Sequence, residues 1–239
     1  MDVVVAGEKH FEDLFVQWFP AKPSCSEAYV FFHGFPGGGI RNEDLAAAVA
    51  NQTGAAVYVI HYGGLGRGKG EFGFLKSLNE CLAFVDEIKS QSTFSRVNFY
   101  GHSWGGLVAL NAAARCENKL GDIILVSPFS FVPENETVRH LLLAMQKSDA
   151  GFPQTLNIQD ALADVETIAK QHNPRMLVRA LKPRRVLILQ SENDDQVPAA
   201  MNRQFAPMFT PEARYLEVNQ DHSFTNRAAL IDIVCKWVR

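Results

Sequence analysis

Short apolar runs alternate with stretches of helical periodicity along most of the chain. Runs of strand character bounded by turn residues lie at Asp2 to Ala6, Phe11 to Phe19, Ala28 to His33, Ala55 to Tyr62, Arg96 to Tyr100, Asp122 to Ser127, Arg185 to Gln190 and Arg214 to Val218. From the third run onward, most gaps carry a helical pattern: Glu43 to Gln52, Leu75 to Ser90, Trp104 to Cys116, Ala199 to Met208 and Thr225 to Val238. Continuous apolar strands separated by helices predict an α/β fold, with a mostly parallel eight-stranded sheet covered on both faces. The first two runs, with Gly7-Glu8-Lys9 read as the turn between them, predict an antiparallel hairpin at one edge.

Between Pro128 and Pro183 the alternation stops. Two amphipathic patterns, Thr137 to Lys147 and Ile158 to Gln171, follow one another there without an intervening strand. The expectation is one domain over residues 1–239, with 128–182 inserted as a small helical lid over the strand ends.

Composition narrows the function classes. With 47% apolar residues, 21% charged residues and a net charge of -3, the chain reads as an ordinary globular domain. It has no basic stripe, so no nucleic-acid partner is expected. No run approaches the ~18 apolar residues of a membrane helix, and Met1 to Glu8 lacks the basic start of a signal peptide. A cytoplasmic protein without a membrane partner is the expectation. Cys25, Cys81, Cys116 and Cys235 are widely spaced with no histidine at zinc-ligand spacing, which reads as reduced structural thiols and no metal. The oligomeric state is left open.

The chemistry concentrates at strand ends. Gly101-His102-Ser103-Trp104-Gly105 follows the strand Arg96 to Tyr100 and opens a helix, as a Gly-x-Ser-x-Gly nucleophile turn must. A hydroxyl is a weak nucleophile, and a sharp strand-to-helix turn holds it clear of the backbone beside a base. His33-Gly34-Phe35-Pro36-Gly37-Gly38-Gly39 follows the strand Ala28 to Phe32. The backbone N–H groups of Phe35 and Trp104 are the expected donors to a developing oxyanion. In this arrangement an acid should follow one late strand and a histidine the next, which selects Asp194 and His222. Asp195 is the competing acid. Pro198 reads as the first residue of the next helix. Phe129 and Phe131, just past a strand end, are candidate pocket or lid residues.

On these motifs the chain resembles the α/β-hydrolase superfamily, of the lipase, carboxylesterase and cinnamoyl-esterase kind, from Ala28 to Val238. The resemblance implies a nucleophile at Ser103, a general base at His222 and oxyanion donors at Phe35 and Trp104; it implies the orienting acid at Asp194 rather than Asp195, since the acid in that family is commonly followed by three residues and a proline, here Pro198. It implies a serine hydrolase with no cofactor, and Phe35, Trp104 and the Phe-rich lid make small to medium apolar or aromatic esters the expected substrates. A peptidase or thioesterase with the same triad is the alternative enzyme, and a low-turnover ligand-binding receptor the alternative outside enzymes. Similar small esterases often carry Tyr-Arg-Gly after the following strand, whereas this chain reads Tyr62-Gly63-Gly64-Leu65-Gly66-Arg67-Gly68-Lys69-Gly70. That stretch approaches Gly-x-x-x-x-Gly-Lys-Ser/Thr, but Gly70 replaces the hydroxyl that would hold Mg²⁺, so a rim loop is expected rather than a nucleotide site.

Overall fold

A computed structural model describes residues 7–37, 42–148 and 151–239. Its strands are β1 (Gly7–Phe11), β2 (Leu14–Phe19), β3 (Glu27–Phe32), β4 (Ala56–His61), β5 (Arg96–His102), β6 (Leu120–Val126), β7 (Val186–Asn193) and β8 (Arg214–Asp221). They form one eight-stranded sheet in the order β1-β2-β4-β3-β5-β6-β7-β8. β2 runs antiparallel to both β1 and β4, and the pairs from β4 to β8 are parallel.

Period-two alternation in the strands explains why both faces are covered. Phe31 and Tyr100 pack with Leu45, Val49, Leu230 and Val234 of α1 (Glu43–Thr53) and α8 (Arg227–Trp237). Their neighbours Phe32 and Phe99 face the other way, toward Leu78, Leu107 and Leu110 of α2 (Phe74–Ser90) and α3 (Trp104–Cys116). Three helices, α4 (Asn135–Ser148), α5 (Ile158–Gln171) and α6 (Pro174–Leu177), fill the segment between β6 and β7, where no strand was expected. α7 (Ala199–Phe205) lies between β7 and β8. Among the described residues no helix is long and apolar enough to cross a membrane.

The hairpin is present, but its register differs from the expectation. Gly7-Glu8-Lys9 lies within β1, and the turn is Glu12-Asp13, which splits the run Phe11 to Phe19. The positive φ of this turn, 52°, falls on Glu12 rather than on a glycine, so its sequence carries no strong turn signal. Gly7 serves close packing instead: a Cβ there would lie 2.3 Å from the Trp18 ring across the ladder. The expected strand Asp2 to Ala6 lies outside the described residues.

Candidate active site

All the parallel strands end on one rim of the sheet, and the residues singled out above stand on that rim. Ser103 occupies the single position between β5 and α3, with φ 53° and ψ -120°. A non-glycine residue held there costs of order 1–3 kcal/mol, so its surroundings must fix it. The Ser103 N–H donates to the Val126 carbonyl at 2.9 Å, and the Ser103 carbonyl accepts from Gly106 and Phe129 N–H at 2.9 and 3.0 Å. Two residues on, the start of α3 presses against the end of β3. A Cβ at Gly105 would stand 2.2 Å from the Phe32 carbonyl oxygen, so only glycine permits this turn.

β7 and β8 are neighbours, and the residues just past their ends face the serine together. His222 Nε2 lies 3.0 Å from Ser103 Oγ, and His222 Nδ1 lies 2.8 Å from Asp194 Oδ1. The Asp194 side chain is 1% exposed and that of His222 6%, so the row is shielded from water. Burial alone would raise the Asp194 pKa. The bonds from His222, then from Ser127 and from the Val197 N–H, outweigh it and hold the carboxyl below the usual range. An ionised carboxylate only accepts, so Nδ1 carries the proton and the Nε2 of a neutral ring is free to accept the serine O–H. Asp195, the competing acid, is exposed. Pro198 is the cap of α7 rather than its first residue, because its ψ of 128° lies outside the helix.

Behind this row stand residues that the sequence motifs did not single out. Gln190, fully buried, donates from Nε2 to Asp194 Oδ2 at 3.1 Å. Its Oε1 accepts at 2.7 Å from Nδ2 of buried Asn202, which also donates to the Pro128 carbonyl. Both Asp194 oxygens are thereby engaged, since Oδ1 also accepts the N–H groups of Gln196 and Val197 at 3.0 and 2.7 Å. On the other side, His102 Nε2 donates to the His222 carbonyl at 2.8 Å and fixes the histidine loop. Burial pushes His102 down to about 3, so it is neutral. The sequence signal that could have marked this support is a glutamine in an apolar strand, Leu187-Ile188-Leu189-Gln190.

The segment after β3 passes directly over the serine. A Cβ on Gly34 would lie 3.1 Å from Ser103 Cβ. Tyr62 donates to the His33 carbonyl at 2.8 Å and anchors the segment, and burial holds His33 down at about 4. The Phe35 ring packs on Phe72 and Phe74, with centroids 4.8 and 5.0 Å away, and Phe74 packs edge-on to Trp104 at 5.0 Å. Trp104 is the first residue of α3, so its N–H has no carbonyl one turn back to donate to. Both expected donor residues thus flank Ser103. Gly38 and Gly39 of the glycine motif lie outside the described residues.

An apolar cleft lies against Ser103. Phe129 and Phe131 both line it, as do Phe35 and Trp104. The remaining walls include residues the motifs did not mark: Leu107 of α3, Leu141 and Leu142 of α4, and Ile168 of α5. The loop from Gly63 to Gly70 contributes no wall. It bonds to itself, Gly64 N–H to Lys69 carbonyl at 2.7 Å, and to the hairpin, Lys69 N–H to Asp13 carbonyl at 2.8 Å.

Comparison with known proteins places this architecture. A family profile described as serine aminopeptidase, S33, matches residues 24–184. No curated protein matches the chain. Among solved structures, Est1E from Butyrivibrio proteoclasticus with ferulic acid bound is similar at a TM-score of 0.70 and 19% identity, over 98% of this chain and 96% of that one. A monoacylglycerol lipase from Paleococcus ferrophilus is similar at 0.71 and 16%, over 94% and 98%. An enol-lactonase from Burkholderia xenovorans is similar at 0.68 and 16%, over 97% and 99%. At these identities the likeness concerns the fold, and the profile supplies the family: the chain belongs to the serine aminopeptidase S33 family of α/β-hydrolases.

Proposed function

We propose that the protein is a serine hydrolase of carboxylic esters, with Ser103 as nucleophile, His222 as general base and acid, and Asp194 as the orienting carboxylate. The observation that carries this reading is the continuous row from Ser103 Oγ through His222, 3.0 Å at one nitrogen and 2.8 Å at the other, to a buried carboxylate. Attack forms a bond from Ser103 Oγ to the acyl carbon as the hydroxyl proton passes to His222 Nε2. The bond to the alcohol oxygen then breaks and His222 returns the proton to it. Water repeats the sequence, releasing the acid and restoring the serine. The N–H groups of Phe35 and Trp104 meet the negative charge that develops on the carbonyl oxygen, where one donor is typically worth ~3 kcal/mol. The apolar cleft favours an apolar acyl group.

The experiment is turnover of 4-nitrophenyl esters by the wild type and by Ser103→Ala. The reading requires the substitution to remove nearly all turnover while the circular dichroism spectrum stays unchanged. Turnover that survives in folded Ser103→Ala contradicts it. The family description supplies the second reading, a peptidase with the same residues, and the cleft bears on that choice.

A further inference from the structure

We infer that the acyl site takes an unbranched, uncharged hydrocarbon chain and excludes aminoacyl and hydroxyaromatic groups. This rests on the serine-hydrolase reading and specifies its substrate class. Among the described residues, the cleft wall holds no carboxylate, ammonium, guanidinium or imidazole side chain. The lining residues with polar side-chain atoms are Ser103, Gln196 and Trp104. An aminopeptidase must draw a substrate ammonium out of water, and a buried cation without a carboxylate partner is strongly disfavoured. No group here compensates it. A phenolic hydroxyl would find Gln196 and Trp104 as its polar neighbours besides Ser103, the other walls being hydrocarbon.

The shape of the cleft points the same way. Val138, Leu141, Leu142 and Met145 line it from two successive turns of α4. Val138 to Met145 spans about 10 Å at the helical rise, the reach of a medium-length extended acyl chain. Val165 and Ile168 of α5 and Leu107 of α3 form the facing walls. These walls are aliphatic side chains from three helices, a lining suited to a methylene chain.

One set of esters with a common leaving group tests the inference on the full chain: 4-nitrophenyl acetate, hexanoate, octanoate, 6-aminohexanoate and ferulate. Each buried methylene is worth up to about fourfold in kcat/KM, so octanoate is expected to exceed acetate by at least about 30-fold. Hexanoate should exceed 6-aminohexanoate by a similar factor, about 30-fold, since only the ammonium differs. Octanoate should also exceed ferulate. Leu141→Trp, which fills the cleft from α4, should lower the octanoate-to-acetate ratio at least about fivefold, the equivalent of losing one buried methylene or more. That ratio does not depend on how much of the variant folds. Smaller ratios in the wild type, a preferred ammonium or ferulate ester, or an unmoved ratio in Leu141→Trp overturns the inference. If turnover is nevertheless lost in Ser103→Ala, the serine-hydrolase reading stands. No turnover of any ester, or turnover that survives Ser103→Ala, overturns both.

Discussion

Two histidines that hold the site without taking part in the chemistry make the protein acid-sensitive in a defined window. His102 bonds the His222 carbonyl, and His33 precedes the segment over Ser103 and bonds its Gly34 carbonyl. Burial pushes them down to about 3 and about 4, against ~6.5 for a histidine in an unfolded chain. Below pH ~6.5 the unfolded chain therefore binds protons that the folded one refuses, and stability falls as pH falls. At ~1.4 kcal/mol per pH unit, each group costs about 2 kcal/mol at pH 5, or ~4 kcal/mol together, relative to pH 7. That is a large share of a typical total of ~5–15 kcal/mol. Asp194 and Asp122, held below the carboxylate range, lose their contribution only at lower pH. Glu80, whose carboxyl burial raises, offsets part of the slope. The assay is urea unfolding at pH 7 and pH 5 at constant ionic strength. His102→Gln keeps an N–H in reach of the His222 carbonyl but cannot titrate, so its loss between the two pH values should shrink by about 2 kcal/mol. A wild type equally stable at both pH values, or a His102→Gln variant that keeps the full loss, would refute the reasoning.

Three further substitutions probe the acid side of the row. Asp194→Asn favours the wrong histidine tautomer and should lower kcat by several orders of magnitude, ~10⁴ if it behaves as in serine proteases, while exposed Asp195→Asn should change kcat less than about tenfold. The reverse ranking, on the same ester at the same pH, would make Asp195 the acid. Gln190→Met removes the donor to Asp194 Oδ2, a charge-assisted bond worth ~1.5–3 kcal/mol, and should cut kcat by roughly 10- to 100-fold with KM changed less than about threefold. A KM effect with kcat intact would show that Gln190 does not act through Asp194.

The parts of this molecule that were legible in sequence depend on local periodicity and on positions relative to strand ends. Apolar runs such as Asp122 to Ser127 read as strands because both faces of a parallel strand are buried, and Ile158–Gln171 read as a helix because its apolar positions repeat with the helical turn. Ser103, Asp194 and His222 stood out because each follows a strand directly. What was not legible depends on contacts between distant segments. Gly7 resembled a turn residue because nothing local shows that the Trp18 ring lies over it. Gln190 and Asn202 carry no motif, and His102 fills a variable position of the serine motif; Asn202 bonds Gln190 12 residues away, and His102 bonds the His222 carbonyl 120 residues away. The apolar faces of α4 and α5 were visible as patterns, but that they face Ser103 follows only from how the segment between β6 and β7 folds back across the rim.

The central claim is that Ser103 is an activated nucleophile. Its most direct measurement is reaction of the folded protein with a fluorophosphonate, followed by intact mass and peptide mapping. The account predicts one adduct per chain, at Ser103, and at least a hundredfold slower labelling in Asp194→Asn, because the wrong tautomer leaves the serine without its base. A folded protein that stays unlabelled, or an adduct that maps to another residue, would contradict it.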